Sequence, residues 1–209
     1  LEFIAMSVEF FPRLASVVSS RYRTWIYVRH EMSMLLLGLT GCVVLFINLV
    51  PLIINLLYDS SFADATGYVT IGAVGTILKA VSFVLAYVIV ARGDGAVYLV
   101  TETVSSALYL VFNIVGYKLY GLDGIGYAYI VWYLAYTVSV YLVYRYRYHL
   151  GGITRQLGTA TLYIIIVAIQ ASLCMSGRYL IATIVSVIVV PAVALVFYRT
   201  FLKRRTLKE

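Results

Sequence analysis

Residues 66 to 117 read TGYVTIGAVGTILKAVSFVLAYVIVARGDGAVYLVTETVSSALYLVFNIVGY. Two long apolar runs flank a four-residue turn, Arg92-Gly93-Asp94-Gly95. Each run carries one ionisable residue well inside it, Lys79 in the first and Glu102 in the second. Runs of this length and composition predict transmembrane helices. A charge at depth costs about 2.5–3.5 kcal/mol on insertion scales, so such residues rarely face lipid and instead line an interior, a cavity or a pathway. This hairpin therefore reads as the polar heart of the molecule.

The composition agrees. The 209 residues are 63% apolar and 12% charged, with a mean hydropathy of +0.95. Soluble domains lie near roughly 45–50% apolar and about 25% charged. The chain reads as an all-α, polytopic transmembrane helix bundle. Its net charge of +7 sits in short basic clusters between apolar runs. That pattern suits topology determinants and anionic membrane lipids, and argues against a nucleic-acid face. Cys42 and Cys174 fall inside apolar runs as packing residues, and no disulfide or metal spacing is present. His30 and His149 lie in basic connections and read as interfacial. No cofactor is expected.

Taken in order, residues 1–20 read as the end of a preceding transmembrane helix, kinked near Pro12, with Glu9 and Arg13 one turn apart and able to pair. The chain opens in apolar sequence without a signal-peptide pattern, so it reads as a piece of a longer protein. Residues 21–31 (RYRTWIYVRHE) form a basic, aromatic connection suited to the headgroup interface. A six-helix lobe follows over residues 32–198. Its spans are Met32–Tyr58, Ala65–Ala91, Gly95–Tyr117, Ile125–Tyr144, Leu157–Met175 and Tyr179–Tyr198. Residues 199–209 form a basic tail. Twelve of the sixteen Lys and Arg residues fall in one alternating set of connections, against two in the other (Lys118 and Arg178). The positive-inside rule places the richer set, and the C-terminus, in the cytoplasm. Tyrosines at span ends, such as Tyr58, Tyr117 and Tyr179, form an aromatic belt.

The candidate chemistry is sparse. Lys79 lies near the middle of its span, and Glu102 about 8–9 Å closer to the cytoplasmic face at 1.5 Å per residue. They act as a cavity pair meeting substrate or a coupling ion, or as a structural ion pair, and the two roles are compatible. Arg13 beside Pro12 is either a kink residue facing substrate or a snorkelling cation. Asn48 and Gln170 are amides suited to interhelical hydrogen bonds or to substrate contact. Tyr129, Trp132, Tyr133 and Tyr136 form a stripe at helical spacing, fit for packing or for lining a glycan path. Gly121, Gly124 and Gly126 (GLDGIGY) lack the order and βαβ context of a dinucleotide fingerprint and mark a tight turn.

Several stretches carry a likeness to a known family: MSVEFFPRLASVV (Met6–Val18), LLYDSSFADAT (Leu56–Thr66), LKAVSFVLAYVIVARGDGAVY (Leu78–Tyr98) with TETVSSAL after it, and GLDGIGYAYIVWYLAY (Gly121–Tyr136). Over residues 6–144 the chain resembles the polysaccharide-export (O-antigen) flippases of the multidrug/oligosaccharidyl-lipid/polysaccharide exporter superfamily. The last two spans match only in hydropathy and position. The resemblance implies two six-helix lobes around a central cavity, alternating access, and a bacterial cytoplasmic (inner) membrane location, with this chain as the C-terminal lobe. The implied substrate is an undecaprenyl-pyrophosphate-linked oligosaccharide. Lys79, with Arg13, would meet the anionic pyrophosphate, and Glu102 would tune them or answer a coupling Na or H ion.

Two other classes compete. A cation-coupled multidrug exporter of the same superfamily would want acidic cavity residues, whereas a lysine holds the central depth here. A membrane-embedded glycan polymerase or ligase would present carboxylates or histidines in sizeable outward loops, and the outward connections here are short. The chain is therefore not expected to be an enzyme.

Overall fold

A computed structural model describes the backbone of residues 2–57, 62 and 64–202, with side chains for residues 10–57, 62 and 64–200. Among these residues the chain is helical throughout, with no strand: α1 (Glu2–Val17), α2 (Arg21–Leu57), α3 (Ala65–Ala91), α4 (Gly95–Leu142), α5 (Thr154–Met175) and α6 (Tyr179–Phe197). Single π-helical turns, Val143–Arg147 and Tyr198–Leu202, extend α4 and α6. Most of the acidic turn 59–65 and residues 203–209 of the basic tail lie outside the described residues.

Five helices, α2 to α6, are long and apolar enough to cross a membrane, against six spans read from the sequence. The difference lies in α4, which takes in both the third and the fourth of those spans. Its backbone is helical except at Gly121, where φ is +61° and ψ is −139°. Only glycine adopts this conformation without strain. Trp132 Nε1 nevertheless donates to both the carbonyl and the hydroxyl of Ser105, at 2.9 Å each. In a straight helix those residues would stand about 40 Å apart. The chain therefore folds back at Gly121, and residues 95–120 and 122–142 form two antiparallel arms. The expected Gly-rich turn is compressed into one residue.

A second difference concerns residues 21–31. They are the first three turns of α2, which runs 37 residues, about 55 Å at 1.5 Å per residue and well beyond a hydrocarbon core of about 30 Å. Their charges are carried on a helix that emerges from the apolar zone. Pro12, Pro51 and Pro191 all sit inside helices, and α1 stays helical through Pro12.

Helix α3 is the hub. It packs against α1, α2, α4 and α5, while α2 also holds α5 and α6. Its most apolar window is 72% buried, against 6% for α4 and 11% for α6. Small residues let α4 approach. A Cβ at Gly75 would stand 2.6 Å from the Tyr129 ring, and one at Gly126 would stand 2.9 Å from Ile71. Between the two arms of α4, Gly116 and Gly124 meet backbone to backbone, as close approach of small residues allows. The core, with Met32, Leu36, Ile47, Ile77, Leu85 and Ile89 fully buried, follows the α2–α3 seam.

One end of the bundle gathers the basic connections. Arg147 Nε bonds Asp94 at 2.9 Å, the Arg92 guanidinium lies 4.7 Å from the Tyr148 ring, and Trp25 Nε1 donates to the Gly152 carbonyl at 3.0 Å. The start of α2, the α3–α4 turn and the loop before α5 are thus tied together. Asp94 also caps α4, accepting from the Val97 amide.

Candidate functional site

The hub helix and the folded-back α4 line a partly open cavity of about 410 Å³, within the range of roughly 300–1,000 Å³ usual for ligand sites. From α3 it is lined by Lys79, Ser82, Phe83, Ala86, Tyr87 and Val90. From α4 come Tyr98 and Glu102 on the first arm, and Trp132, Tyr133 and Tyr136 on the return arm. Five of the sequence candidates, Lys79, Glu102, Trp132, Tyr133 and Tyr136, therefore share one cavity.

The geometry explains why they share it. Lys79 and Glu102 sit on helices joined by the Arg92–Gly95 turn, at different heights above it. The return arm bridges that difference. Tyr133 and Tyr136 lie three residues apart, on one helix face and about 4.5 Å apart along the axis. The Lys79 ammonium stands 6.0 Å from the Tyr133 ring centroid, within the range of a cation–π contact. The Tyr136 hydroxyl donates to Glu102 Oε1. Trp132 stacks at 6.0 Å on Tyr136 and touches Tyr133 at 4.2 Å between centroids. Its indole nitrogen is held by Ser105. The aromatic wall is thereby fixed by contacts behind it.

The remaining candidates lie elsewhere. Tyr129 packs edge-on to Tyr133 at 4.7 Å, but it lines a separate, largely apolar cavity of about 600 Å³ between α2 and α3. Asn48 is half-buried on α2 and donates to Thr183 of α6 at 3.4 Å, a link between helices. Gln170 is buried and donates to Ser186 at 3.0 Å and to the Ala182 carbonyl at 3.2 Å, tying α5 to α6. Arg13 is exposed on α1 and does not line the α3–α4 cavity. The side chain of Glu9 lies outside the described residues. Helix α1 still reaches the cavity wall indirectly, since Phe10 and Phe11 pack on Tyr87 at 5.8 and 6.2 Å.

Sequence reasoning missed Phe83, Tyr87 and Tyr98. Phe83 and Tyr87 are one turn apart on α3 and follow Lys79 by four and eight residues, so helical spacing from Lys79 would have found both. Tyr98 lies four residues before Glu102 by the same rule.

No family model, curated protein or solved structure matches this chain.

Chemically, the cavity offers a cation, a carboxylate already bonded to a phenol, and an aromatic lining of mixed orientation. That combination fits a ligand carrying both an anionic group and broad faces. Among the described residues no cluster of three or more His, Cys, Asp or Glu could hold a metal ion.

Proposed function

We propose that this chain is one lobe of a membrane flippase that moves an undecaprenyl-pyrophosphate-linked oligosaccharide outward by alternating access. It sits in the bacterial cytoplasmic membrane with its basic end and C-terminus in the cytoplasm. In this reading the two arms of α4 each cross the membrane, giving six spans, and a second lobe completes the pathway. One observation carries the proposal: Lys79, near the middle of α3, and Glu102 line one aromatic-walled cavity. A lysine at that depth supplies charge to a pyrophosphate. Tyr87, Tyr98, Trp132 and Tyr136 supply flat faces for sugar rings, and transporter sites commonly lie near the bilayer midplane.

The resemblance of residues 6–144 to the polysaccharide-export flippases points the same way. A cation-coupled multidrug exporter is the second reading, because Glu102 within an aromatic box also suits a lipophilic cation.

Substitution in the full-length protein separates the two. Lys79→Ala is expected to reduce surface polysaccharide at normal protein level, while Lys79→Arg keeps a substantial part of it. Undiminished polysaccharide in both variants would remove Lys79 from the mechanism. Loss of drug resistance with intact polysaccharide in Glu102→Gln would favour the second reading.

A further inference from the structure

At the basic end of the bundle, α2, α5 and α6 enclose a separate pocket of about 520 Å³. Arg29, Arg155 and His30 line it together with the hydroxyl-bearing Ser33, Thr159 and Thr200, and no Asp or Glu contributes to the lining. Among the described residues neither Arg29 nor Arg155 has a carboxylate partner. Arg29 is held in place, its guanidinium 4.6 Å from the centroid of the Trp25 ring.

Gln156 supplies a second, independent observation. It lines the same pocket and is only 5% exposed, yet its amide oxygen has no hydrogen-bond partner. A buried acceptor left unmatched costs free energy and calls for a donor. A bare phosphate diester anion has none to give, whereas a headgroup hydroxyl does. The pocket also adjoins the first turn of α5, whose amides carry the positive end of the helix dipole and have no side-chain cap. Ile26, Leu37 and Val196 border it with apolar surface, as the start of an acyl chain would require.

We propose that this pocket binds the headgroup of an anionic phospholipid bearing a free hydroxyl, of the phosphatidylglycerol type. Arg29 and Arg155 take the phosphate, and the Gln156 amide oxygen accepts from the glycerol. Basic pockets between transmembrane helices on the cytoplasmic side are suited to such headgroups. The lipid seals the seam between α2, α5 and α6 at the membrane surface. This inference needs only the membrane location of the chain and is independent of what it transports.

Native mass spectrometry of the purified chain, delipidated and titrated with phosphatidylglycerol or phosphatidylcholine, tests it. The expected result is selective retention of phosphatidylglycerol. Arg29→Gln combined with Arg155→Gln should weaken that retention about thirtyfold, taking about fivefold per arginine near the membrane surface. Lys118→Gln combined with Arg178→Gln, at the opposite end, should leave it unchanged. Gln156→Leu should bring phosphatidylglycerol down to the level of phosphatidylmethanol, a diester of the same charge that lacks the headgroup hydroxyls. A melting curve on each variant confirms folding. Equal retention of both lipids by the wild type, or equal retention by wild type and the Arg29/Arg155 double variant, would overturn the proposal. So would displacement of the lipid by millimolar inorganic phosphate, which would mark a site for a soluble anion.

Discussion

Replacing Gly124 by alanine tests the fold of α4 at its tightest point. A Cβ built at Gly124 falls 1.9 Å from the carbonyl oxygen of Gly116 and 2.4 Å from its carbonyl carbon, where real Cβ atoms essentially never come under 3.0 Å. The obstacle is backbone on a facing helix, so no rotamer change relieves it. The arms must part by about 1 Å, and overpacking of this kind costs about 1–3 kcal/mol. With backbone on both sides the upper figure applies. Alanine returns roughly 0.5–1 kcal/mol through its better helix propensity, leaving about 2 kcal/mol. For a chain of this size that lowers Tm by about 4–8 °C. Gly72→Ala is the control. Gly72 is also helical, but nothing lies within 4 Å of its Cβ position, so alanine there should raise Tm by about 1–4 °C. Both are read by circular-dichroism melting in one detergent, with Trp132 fluorescence as a local probe because its indole bridges the arms through Ser105. Gly116→Ala should resemble Gly124→Ala, and the double variant should cost less than the two together, since one separation of the arms relieves both clashes. A Gly124→Ala variant that melts with the wild type would refute the backbone contact and the fold-back at Gly121.

Two further outcomes follow from the basic end. Hydrogen bonding from Arg147, the largest influence, together with the Val97 amide and the nearby charge, holds the Asp94 carboxyl below its ordinary value of 3.8. A carboxylate shifted downward stabilises the fold above its unfolded pKa, and that contribution is lost as pH falls through the folded value. The difference in Tm between wild type and Asp94→Asn should therefore be constant from neutral pH to about pH 5 and shrink progressively below it, and a difference that grows on acidification would contradict this. The proposed orientation is read by single cysteines in a background with Cys42 and Cys174 replaced: in intact cells an impermeant maleimide should label cysteine at Ser176 and spare cysteine at Gly152. The reverse pattern would invert the topology.

Much of this architecture can be read from residue order, for identifiable reasons. Helix ends at Arg92–Asp94 and at Ser176–Arg178 combine a charge, a glycine and a break in the apolar run, and both are turns in the structure, with Gly93 and Gly177 at φ of +67° and +71°. The start of α2 was hidden because RYRTWIYVRHE reads by charge as a connection. Helix propensity and burial of Thr24 and Val28 carry the helix through it, and hydropathy reports the membrane boundary rather than the helix boundary. The return of α4 falls within the Gly-rich stretch expected to turn but is shorter than a loop, since a single glycine in a conformation closed to other residues replaces several. Within the site, Lys79 and Glu102 stood out because charge inside an apolar run is rare. Tyr129 belonged to the same stripe as Tyr133 and Tyr136, yet it turns to the neighbouring cavity. A stripe wider than one helix face meets two partners, and the sequence does not say where the seam falls.

The open space that Lys79 and Glu102 both line bears on whether they are a structural pair alone. Each charge is costly to insert, and a pair kept only for stability would be expected to close, with side chains packed around it at the density of a protein interior. The structure instead leaves about 410 Å³ beside the pair, and walls it with rings that are held from behind, Trp132 by Ser105 and Tyr87 by Phe10. A recess bordered by an ammonium, a carboxylate and tyrosine hydroxyls is polar enough to be wet. Tyr136 satisfies one oxygen of Glu102 without filling the space in front of it. The contacts that hold each charge, Tyr133 beside Lys79 and Tyr136 on Glu102, and the volume beside them are thus complementary: the first let two charges persist at depth, and the second, in the proposed reading, is where a bound group meets them.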